Sequence, residues 1–183
     1  MTKDEARREG LKKRGELSQQ TREAYSGIIS ETLFDLPAYR EAEKVFLYSS
    51  FKDEADTSLI VKRTIEEKGA VFLPRVEDKT RMAFYRVSDI SKLKKSSYGI
   101  YEPEGEGEDE KAPDLFVIPL AAFSEDLNRA GYGGGYYDRY LREYKGRVPV
   151  MGLAFSAQCV PAFETDEYDI KPDMIITEKG VFK

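Results

Sequence analysis

Five short apolar runs, separated by helical segments and loops, limit the folds that this chain of 183 residues can adopt. The runs cover residues 45–50, 70–74, 114–119, 148–155 and 173–177. Most are continuous in apolar residues rather than alternating, which is typical of strands buried on both faces of a parallel sheet. We therefore predict one α/β domain over residues 1–183, with a mostly parallel, Rossmann-like sheet and helices on both faces.

Helices are predicted before and between these runs. Ser18 is a suitable N-cap for a helix whose apolar residues fall on one side, at Ala24, Ile28, Leu33 and Phe34. Thr57 is the predicted N-cap of a further helix, which ends at Gly69. Residues 81–87 alternate and predict an edge strand or half of a hairpin, and residues 98–112 predict a long acidic loop.

Composition excludes several classes of function. The chain has no histidine, which removes Ser-His-Asp and Cys-His nucleophile pairs and imidazole metal ligands. Its single cysteine, Cys159, excludes an internal disulfide and a thiolate zinc cluster. A net charge of −5 argues against general nucleic-acid binding, and no apolar run approaches the length of a membrane span. We expect a cytoplasmic protein whose chemistry depends on positioning and electrostatics, as in phosphoryl transfer.

A glycine-rich block between two of the strand-like runs is the predicted ligand site. Four of the five residues from Gly131 to Gly135 are glycine, and a helical pattern follows them directly. Glycine permits positive φ and close approach of a ligand, and a helix that starts there directs its N–H groups towards an anion. Arg129 and Arg139 flank the loop and add positive charge. Asp138, in the first helical turn, is a candidate Mg²⁺ ligand.

A flexible turn ahead of a surface helix is the alternative interpretation of the same glycines. The block is not a Walker A motif, because no Gly-Lys-Ser/Thr follows, and it comes too late for the usual dinucleotide fingerprint. The interleaved aromatic residues Tyr132, Tyr136 and Tyr137 favour a ligand loop, as does the position between two strands.

Recognisable motifs extend along nearly the whole chain. The most specific is the tyrosine-flanked triple glycine followed by Asp-Arg-Tyr-Leu, within residues 131–141. The others are Lys3-x-x-x-Arg7, Tyr48-Ser49-Ser50, Glu54-x-Asp56-Thr57, Leu73-Pro74-Arg75-Val76, Met82-x-Phe84, Gly99-Ile100-x-Glu102-Pro103, Gly152-Leu153-Ala154-Phe155, Asp169-x-x-x-Asp173 and Ile176-Thr177-Glu178-Lys179-Gly180. In this order they resemble the 5-formyltetrahydrofolate cyclo-ligase family. The chain departs from the family's usual pattern at Leu120, Ser124, Asn128, Ala130 and Tyr168.

The resemblance implies an ATP- and Mg²⁺-dependent ligase. Such an enzyme closes 5-formyltetrahydrofolate to 5,10-methenyltetrahydrofolate and releases ADP and phosphate. ATP phosphorylates the formyl oxygen, and N10 attacks the resulting iminium phosphate without a covalent enzyme nucleophile. The implied partner is therefore a small-molecule folate, not a nucleic acid or a membrane, and the expected state is a monomer.

The resemblance also implies the site residues. Nucleotide binding is expected from Lys3, Arg7, Arg129, Gly131, Tyr132, Gly133, Gly134, Gly135, Tyr136 and Tyr137. Folate binding is expected from Ser49, Glu54, Tyr132, Gly133, Gly134, Gly135 and Tyr136. Asp138 and Asp169 match the magnesium ligands, and Arg129 is the one candidate for a catalytic role. Lys3 and Arg7 could equally form a solvated helical face.

Two other functions are compatible with a fold of this type. One is a non-catalytic nucleotide-binding module, and the other is a sugar-phosphate isomerase or acyl-CoA enzyme. If the protein is the ligase, the positions of its two binding sites follow from the strand ends. Glu54 follows the run 45–50, and the glycine block follows the run 114–119. Both should lie at the carboxyl edge of the sheet, facing one cleft.

Overall fold

The computed structural model describes residues 1–97, 99–104 and 110–183. Its helices are α1 (Lys3–Gly15), α2 (Gln19–Asp35), α3 (Pro37–Glu41), α4 (Ser58–Lys68) and α5 (Tyr136–Leu141). Its strands are β1 (Val45–Leu47), β2 (Val71–Val76), β3 (Met82–Val87), β4 (Leu93–Lys95), β5 (Tyr101–Pro103), β6 (Leu115–Pro119), β7 (Ala122–Phe123), β8 (Arg129–Ala130), β9 (Val150–Leu153), β10 (Met174–Thr177) and β11 (Gly180–Phe182). In the part of the chain so described, every helix is too short or too polar to cross a bilayer.

A seven-stranded sheet with the order β11-β10-β9-β6-β1-β2-β3 forms the centre of the domain. Its five inner strands run parallel, and β3 and β11 pair antiparallel at the two edges. The predicted mostly parallel α/β fold is therefore confirmed. Strand order reverses between β1 and β6, so the carboxyl ends of these two strands form the crevice in which open α/β sheets bind ligands.

Side chains alternate along the inner strands and build a core on each face of the sheet. Val45 and Leu47 of β1 pack with Ile29, Leu33 and Ile60 from α2 and α4. The opposite face carries aromatic side chains of the strands: Phe46, Phe72, Phe84 and Phe116. They pack against Tyr140 of α5 and Tyr144 in the turn after it. Helices thus lie on both faces, as predicted.

The buried side of α2 differs from the predicted one. Ala24 and Ile28 are exposed, and 48% of Ile28 is accessible, whereas Ile29, Leu33 and Phe34 are buried. The prediction is confirmed at Leu33 and Phe34 and fails at Ala24 and Ile28, because serines occupy buried positions on this helix. Their hydroxyls are satisfied: Ser30 donates to the Ser26 carbonyl at 2.8 Å, and the Ser26 hydroxyl accepts from the Asp56 N–H at 2.9 Å.

Several short strands were not predicted. β5 lies within the segment predicted as a loop over residues 98–112, of which residues 98 and 105–109 fall outside the described ranges. The two-residue strands β7 and β8 form a hairpin between β6 and the glycine block, which therefore does not follow β6 directly. Strands of two or three residues are too short to show a period of two.

Helix α1 packs directly on the β7–β8 hairpin, and Gly10 makes this contact possible. A Cβ at Gly10 would lie 2.4 Å from the Ala121 carbonyl oxygen and 2.6 Å from the Ala122 Cβ. Since the first of these neighbours is backbone, it cannot rotate away. Glycine is thus required in the middle of a helix, where it normally reduces stability.

We expect Gly10→Ala to lower the free energy of unfolding by about 1–3 kcal/mol, because the added methyl group separates α1 from the hairpin. Gly27→Ala in α2 is the matched control, since a Cβ there meets nothing within 4 Å. The control should gain about 0.5–1 kcal/mol through helix propensity. Urea unfolding measures both variants, and a Gly10→Ala protein as stable as the control would contradict this contact.

Candidate functional site

A cavity of about 1000 Å³ opens at the carboxyl ends of β1 and β6. Helix α1, the β1–α4 loop, the glycine block and the segment before β10 all contribute to its walls. It brings together every site residue predicted from the sequence: Lys3, Arg7, Ser49, Glu54, Arg129, Gly131, Tyr132, Gly133, Gly134, Gly135, Tyr136, Tyr137, Asp138 and Asp169. The single cleft predicted from the strand ends is therefore present, although the ligand that each residue contacts stays a prediction.

The glycine loop, residues 131–135, is held in place by two arginines. Arg7 donates from Nε to the Gly131 carbonyl at 2.6 Å, and Arg139 donates from Nη2 to the Gly134 carbonyl at 2.8 Å. Gly133 and Gly135 have φ of 95° and 64°, in the left-handed region that favours glycine. Two of the glycines are thus favoured by the backbone, and both arginines bond carbonyl groups of the loop.

Charged side chains next to the loop form two ion pairs. Lys3 contacts the Asp169 carboxylate, and Arg129 contacts the Asp138 carboxylate. Arg129 is buried, with only 5% of its surface accessible, so its guanidinium belongs to the cavity wall. Lys3 and Arg129, two of the three cations expected to bind phosphate, are therefore each paired with a carboxylate expected to bind metal. The positive and negative charges of these two ion pairs cancel within the cavity wall.

Asp138 and Asp169, the two carboxylates expected to bind magnesium, both line the cavity. Within residues 1–97, 99–104 and 110–183, no three His, Cys, Asp or Glu side chains gather as a metal cluster. Magnesium does not require one, since it commonly binds one or two carboxylates together with substrate phosphates. The Ile170 N–H donates to Asp138 Oδ1 at 3.0 Å, which brings the neighbouring Asp169 close to Asp138.

Glu54 lies at the opposite side of the cavity, in the loop after β1. Its Oε2 accepts from the Phe51 N–H at 2.7 Å. Burial raises the pKa of Glu54 above its ordinary value, and the nearby Tyr132 hydroxyl, the Phe51 N–H and the charge of Arg14 oppose that rise. The carboxylate thus depends on its neighbours to remain charged.

The Tyr132 hydroxyl joins the glycine loop to helix α1. Arg14 donates from Nη1 to this hydroxyl at 2.5 Å and from Nη2 to Asp53 Oδ1 at 2.7 Å. Burial and the negative charge of Glu54 raise the pKa of Tyr132 well above its ordinary value, so the phenol stays neutral. Tyr132 as a whole residue is 46% exposed.

Three features of the cavity were missed in the sequence. Arg14 follows Arg7 by two helical turns, and this spacing could have placed it on the same face as Lys3 and Arg7. Glu102 of β5 also lines the cavity, and burial raises its pKa. Tyr168, at a departure from the family pattern, lies at the rim with the Arg142 guanidinium 5.1 Å from its ring centroid.

Comparisons with known sequences agree with the geometry. A model of the 5-formyltetrahydrofolate cyclo-ligase family matches residues 1–178. The 5-formyltetrahydrofolate cyclo-ligase of Mus musculus is 31% identical over 175 residues, which cover 88% of this chain and 86% of the mouse protein. The protein of the same name from Haemophilus influenzae is 30% identical over 149 residues, which cover 78% of this chain and 79% of the H. influenzae protein.

Solved structures give the same result. The 5,10-methenyltetrahydrofolate synthetase of Aquifex aeolicus superposes with a TM-score of 0.86 at 34% identity, covering 100% of this chain and 93% of that one. The 5,10-methenyltetrahydrofolate synthetase of Mycoplasma pneumoniae superposes with a TM-score of 0.77 at 27% identity. The match covers 97% of this chain and 99% of the M. pneumoniae chain. The likeness extends over the whole domain, including the cavity walls.

Glu54 should reduce stability at neutral pH, because its folded-state pKa lies above its ordinary value. Below the unfolded-state pKa the carboxyl is protonated in both states and has no such effect. The loss of stability develops as pH rises through the folded-state pKa. We expect Glu54→Gln to raise Tm near pH 7 by up to about 3 °C, a shift limited by solvent screening in the open cavity.

Calorimetry across pH checks this expectation. Glu66→Gln, which removes one carboxylate from the exposed surface of α4, is the matched control. The gain for Glu54→Gln should disappear at acidic pH, where the carboxyl is protonated in both states. An equal gain at pH 4 and pH 8 would show that burial of this charge is not the cause.

Proposed function

The chain belongs to the 5-formyltetrahydrofolate cyclo-ligase family, and from that membership we propose the reaction that its cavity supports. The protein converts 5-formyltetrahydrofolate to 5,10-methenyltetrahydrofolate, with Mg²⁺-dependent cleavage of ATP to ADP and phosphate. The supporting observation is that one cavity is lined both by the charged groups around the glycine loop and by Glu54. Its monomeric state and cytoplasmic location stay predictions from the sequence.

The nucleotide half of the proposed site surrounds the glycine loop. ATP phosphates would be bound by backbone N–H groups of the loop and by Lys3, Arg7 and Arg129. Asp138 and Asp169 would hold the magnesium ion. Since Lys3 contacts Asp169 and Arg129 contacts Asp138, cations and carboxylates are already adjacent. A nucleotide with its metal offers a partner to both signs of charge, so binding would leave no group unpaired.

The folate half lies on the side of β1, β2 and β3. Ser49 and Glu54 follow β1, and the nearby lining is largely apolar, with Val76 and Met82 from β2 and β3. A carboxylate suits the donor-rich edge of a pterin, and apolar side chains suit its ring faces. Tyr132 and Tyr136, from the glycine loop and the start of α5, would stack on the pterin or benzoyl ring.

The proposed chemistry needs positioning more than a reactive side chain. The γ-phosphoryl group moves from ATP to the formyl oxygen, which turns a poor leaving group into a phosphate ester. N10 then attacks the activated carbon, the carbon–oxygen bond breaks, and phosphate leaves as the N10 proton is lost. Magnesium, when bound, neutralises charge on the transferred group. The chain's own contribution is to hold N10 beside the carbon, which makes ring closure intramolecular.

Incubating the purified protein with 5-formyltetrahydrofolate, ATP and Mg²⁺ tests the proposal directly. We expect absorbance of the methenyl product and one ADP for each product molecule, with neither formed when ATP is omitted. A non-catalytic nucleotide-binding module would bind ATP without turnover. A sugar-phosphate isomerase or acyl-CoA enzyme would leave the folate unchanged, and either result would reject the proposal.

Substitutions in the two halves of the cavity should change different Michaelis constants. Arg7→Met should raise KM for ATP by about ten- to a hundredfold, since it removes a charged contact, with little change in KM for the folate. Glu54→Gln should raise KM for the folate by about the same factor and leave KM for ATP nearly unchanged. Arg8→Met, which removes an exposed cation from the same helix, is the control for Arg7. A rise in KM for ATP in Glu54→Gln would overturn this layout.

A further inference from the structure

The guanidinium of Arg139, in α5, joins the glycine loop to the turn between β2 and β3 (residues 77–81, the β2–β3 turn). Its Nε donates to the Thr80 carbonyl at 2.8 Å, and its Nη2 donates to the Gly134 carbonyl at 2.8 Å. Because the guanidinium is a rigid planar fork, two bonds from one such group fix the distance between the two carbonyls.

Tyr136 adds a second contact between the same elements. Its hydroxyl donates to the Asp78 carbonyl at 3.2 Å, and the guanidinium carbon of Arg139 lies 5.1 Å from the centroid of its ring. The ring also packs on the glycine loop, where a Cβ at Gly134 would lie 2.8 Å from two of its carbons. The first turn of α5 is therefore in contact with both the β2–β3 turn and the glycine loop.

Asp78 orders the β2–β3 turn from within. Its Oδ1 accepts from the Thr80 N–H at 2.7 Å, from the Thr80 hydroxyl at 2.9 Å and from the Arg81 N–H at 2.9 Å. An aspartate that bonds the backbone two residues further on holds a turn in one shape. Asp78 thus fixes the Thr80 carbonyl that Arg139 binds, although Asp78 is not one of the described residues that line the cavity.

The two elements that Arg139 joins belong to different halves of the cavity. Val76 and Met82, which flank the β2–β3 turn, line the proposed folate half, and Gly134 lines the proposed nucleotide half. The sequence suggests that Arg139 adds positive charge for an anion. In the structure two of its donor groups instead bond the backbone of these two walls.

We propose that Arg139 is a positioning residue, which sets the separation of the two halves of the cavity by bonding the Thr80 and Gly134 carbonyls. Its consequence for catalysis rests on the proposed function. Transfer of the γ-phosphoryl group requires the formyl oxygen close to the phosphorus, and a misplacement of about 1 Å can cost about a hundredfold in rate. Arg139 therefore affects turnover more than the affinity for either ligand, because each half keeps its own contacts.

Kinetics of Arg139→Met and Arg139→Lys test this role against direct binding of phosphate. We expect Arg139→Met to lower kcat by about tenfold and to change both Michaelis constants by less than about threefold. Arg139→Lys should behave in the same way, since one ammonium group cannot replace the fork that bonds both carbonyls. A cation that bound ATP phosphates would give another pattern, with a higher KM for ATP in Arg139→Met and a normal one in Arg139→Lys.

Asp78→Ala tests the same connection without changing Arg139 or a residue that lines the cavity. It removes the acceptor that orders the turn, so kcat should fall by about three- to fivefold. Electrostatics alone predicts no such loss, because removing an exposed carboxylate does not disfavour an anionic nucleotide. In the double variant with Arg139→Met, the fall should be smaller than the product of the two single falls, since both changes break one connection.

Two matched controls lie elsewhere in the described chain. Asp89 accepts from the Ser91 N–H at 2.9 Å and from the Ser91 hydroxyl at 2.7 Å, so Asp89→Ala removes a similar set of bonds from another turn. Arg86 donates to the Gly69 carbonyl at 3.3 Å and does not line the cavity, so Arg86→Met removes an exposed arginine of the same kind. Both controls should keep the kcat of the parent.

Nitrogen-15 relaxation measures the connection without a ligand. Arg139→Met should lower the order parameters of residues 77–81 and 131–135 together, from the value of rigid backbone, about 0.85, towards that of flexible segments, below about 0.6. Arg86→Met should leave them unchanged. A parent protein without turnover would reject the proposed function, while the order parameters would still decide the role of Arg139.

A KM for ATP that rises in Arg139→Met and returns to normal in Arg139→Lys would overturn the proposal, as would an unchanged kcat in folded Arg139→Met. If Arg139→Met does not fold, Arg139→Lys and Asp78→Ala make the same decision. Unchanged order parameters of the glycine loop in Asp78→Ala would then show that the β2–β3 turn does not support the loop.

Discussion

The cavity depends on the close contact between α1 and the β7–β8 hairpin. Because Gly10 allows the helix to meet the backbone of Ala121 directly, the side chains before and after it reach the glycine loop. Lys3 and Arg7 contact Asp169 and Gly131 from one side, and Arg14 reaches Tyr132 from the other. Helix α1 therefore supplies cations to the nucleotide half of the cavity and contacts Tyr132 in its wall, so a displacement of α1 would disturb both.

The charges in the cavity are balanced by two different arrangements. In the nucleotide half, Lys3 and Arg129 contact Asp169 and Asp138 directly. In the folate half, no described Lys or Arg side chain forms an ion pair with Glu54, whose carboxylate accepts from the Phe51 N–H. A direct ion pair would compete with a substrate for the carboxylate, whereas a single hydrogen bond leaves other lone pairs of Glu54 available. This difference suits the proposal that Glu54 binds the donors of a pterin.

Sequence patterns predicted the parts of this protein that repeat or carry a strong motif. The five parallel strands were recognisable because burial on both faces makes them apolar throughout. The glycine block with Arg129, Arg139 and Asp138 was recognisable by residue type, whereas Lys3, Arg7 and Asp169 were recognisable only from the family's motifs. The buried side of α2 was misassigned because Ser26 and Ser30 lie there, and β7 and β8 were missed because two residues show no period. Arg14 was missed because a buried arginine in a charged helix looks like a surface residue.

Glu54 shows why the folate half differs from an ordinary core. An amide of similar shape would satisfy the Phe51 N–H without a buried charge, so folding alone favours glutamine there. The carboxylate instead stays in a place where burial raises its pKa, and the neighbouring Asp53 bonds Arg14, a buried arginine whose Nε has no partner among the described residues. Two costs to stability in adjacent residues are typical of a functional site. They suit the proposal that Glu54 binds a ligand.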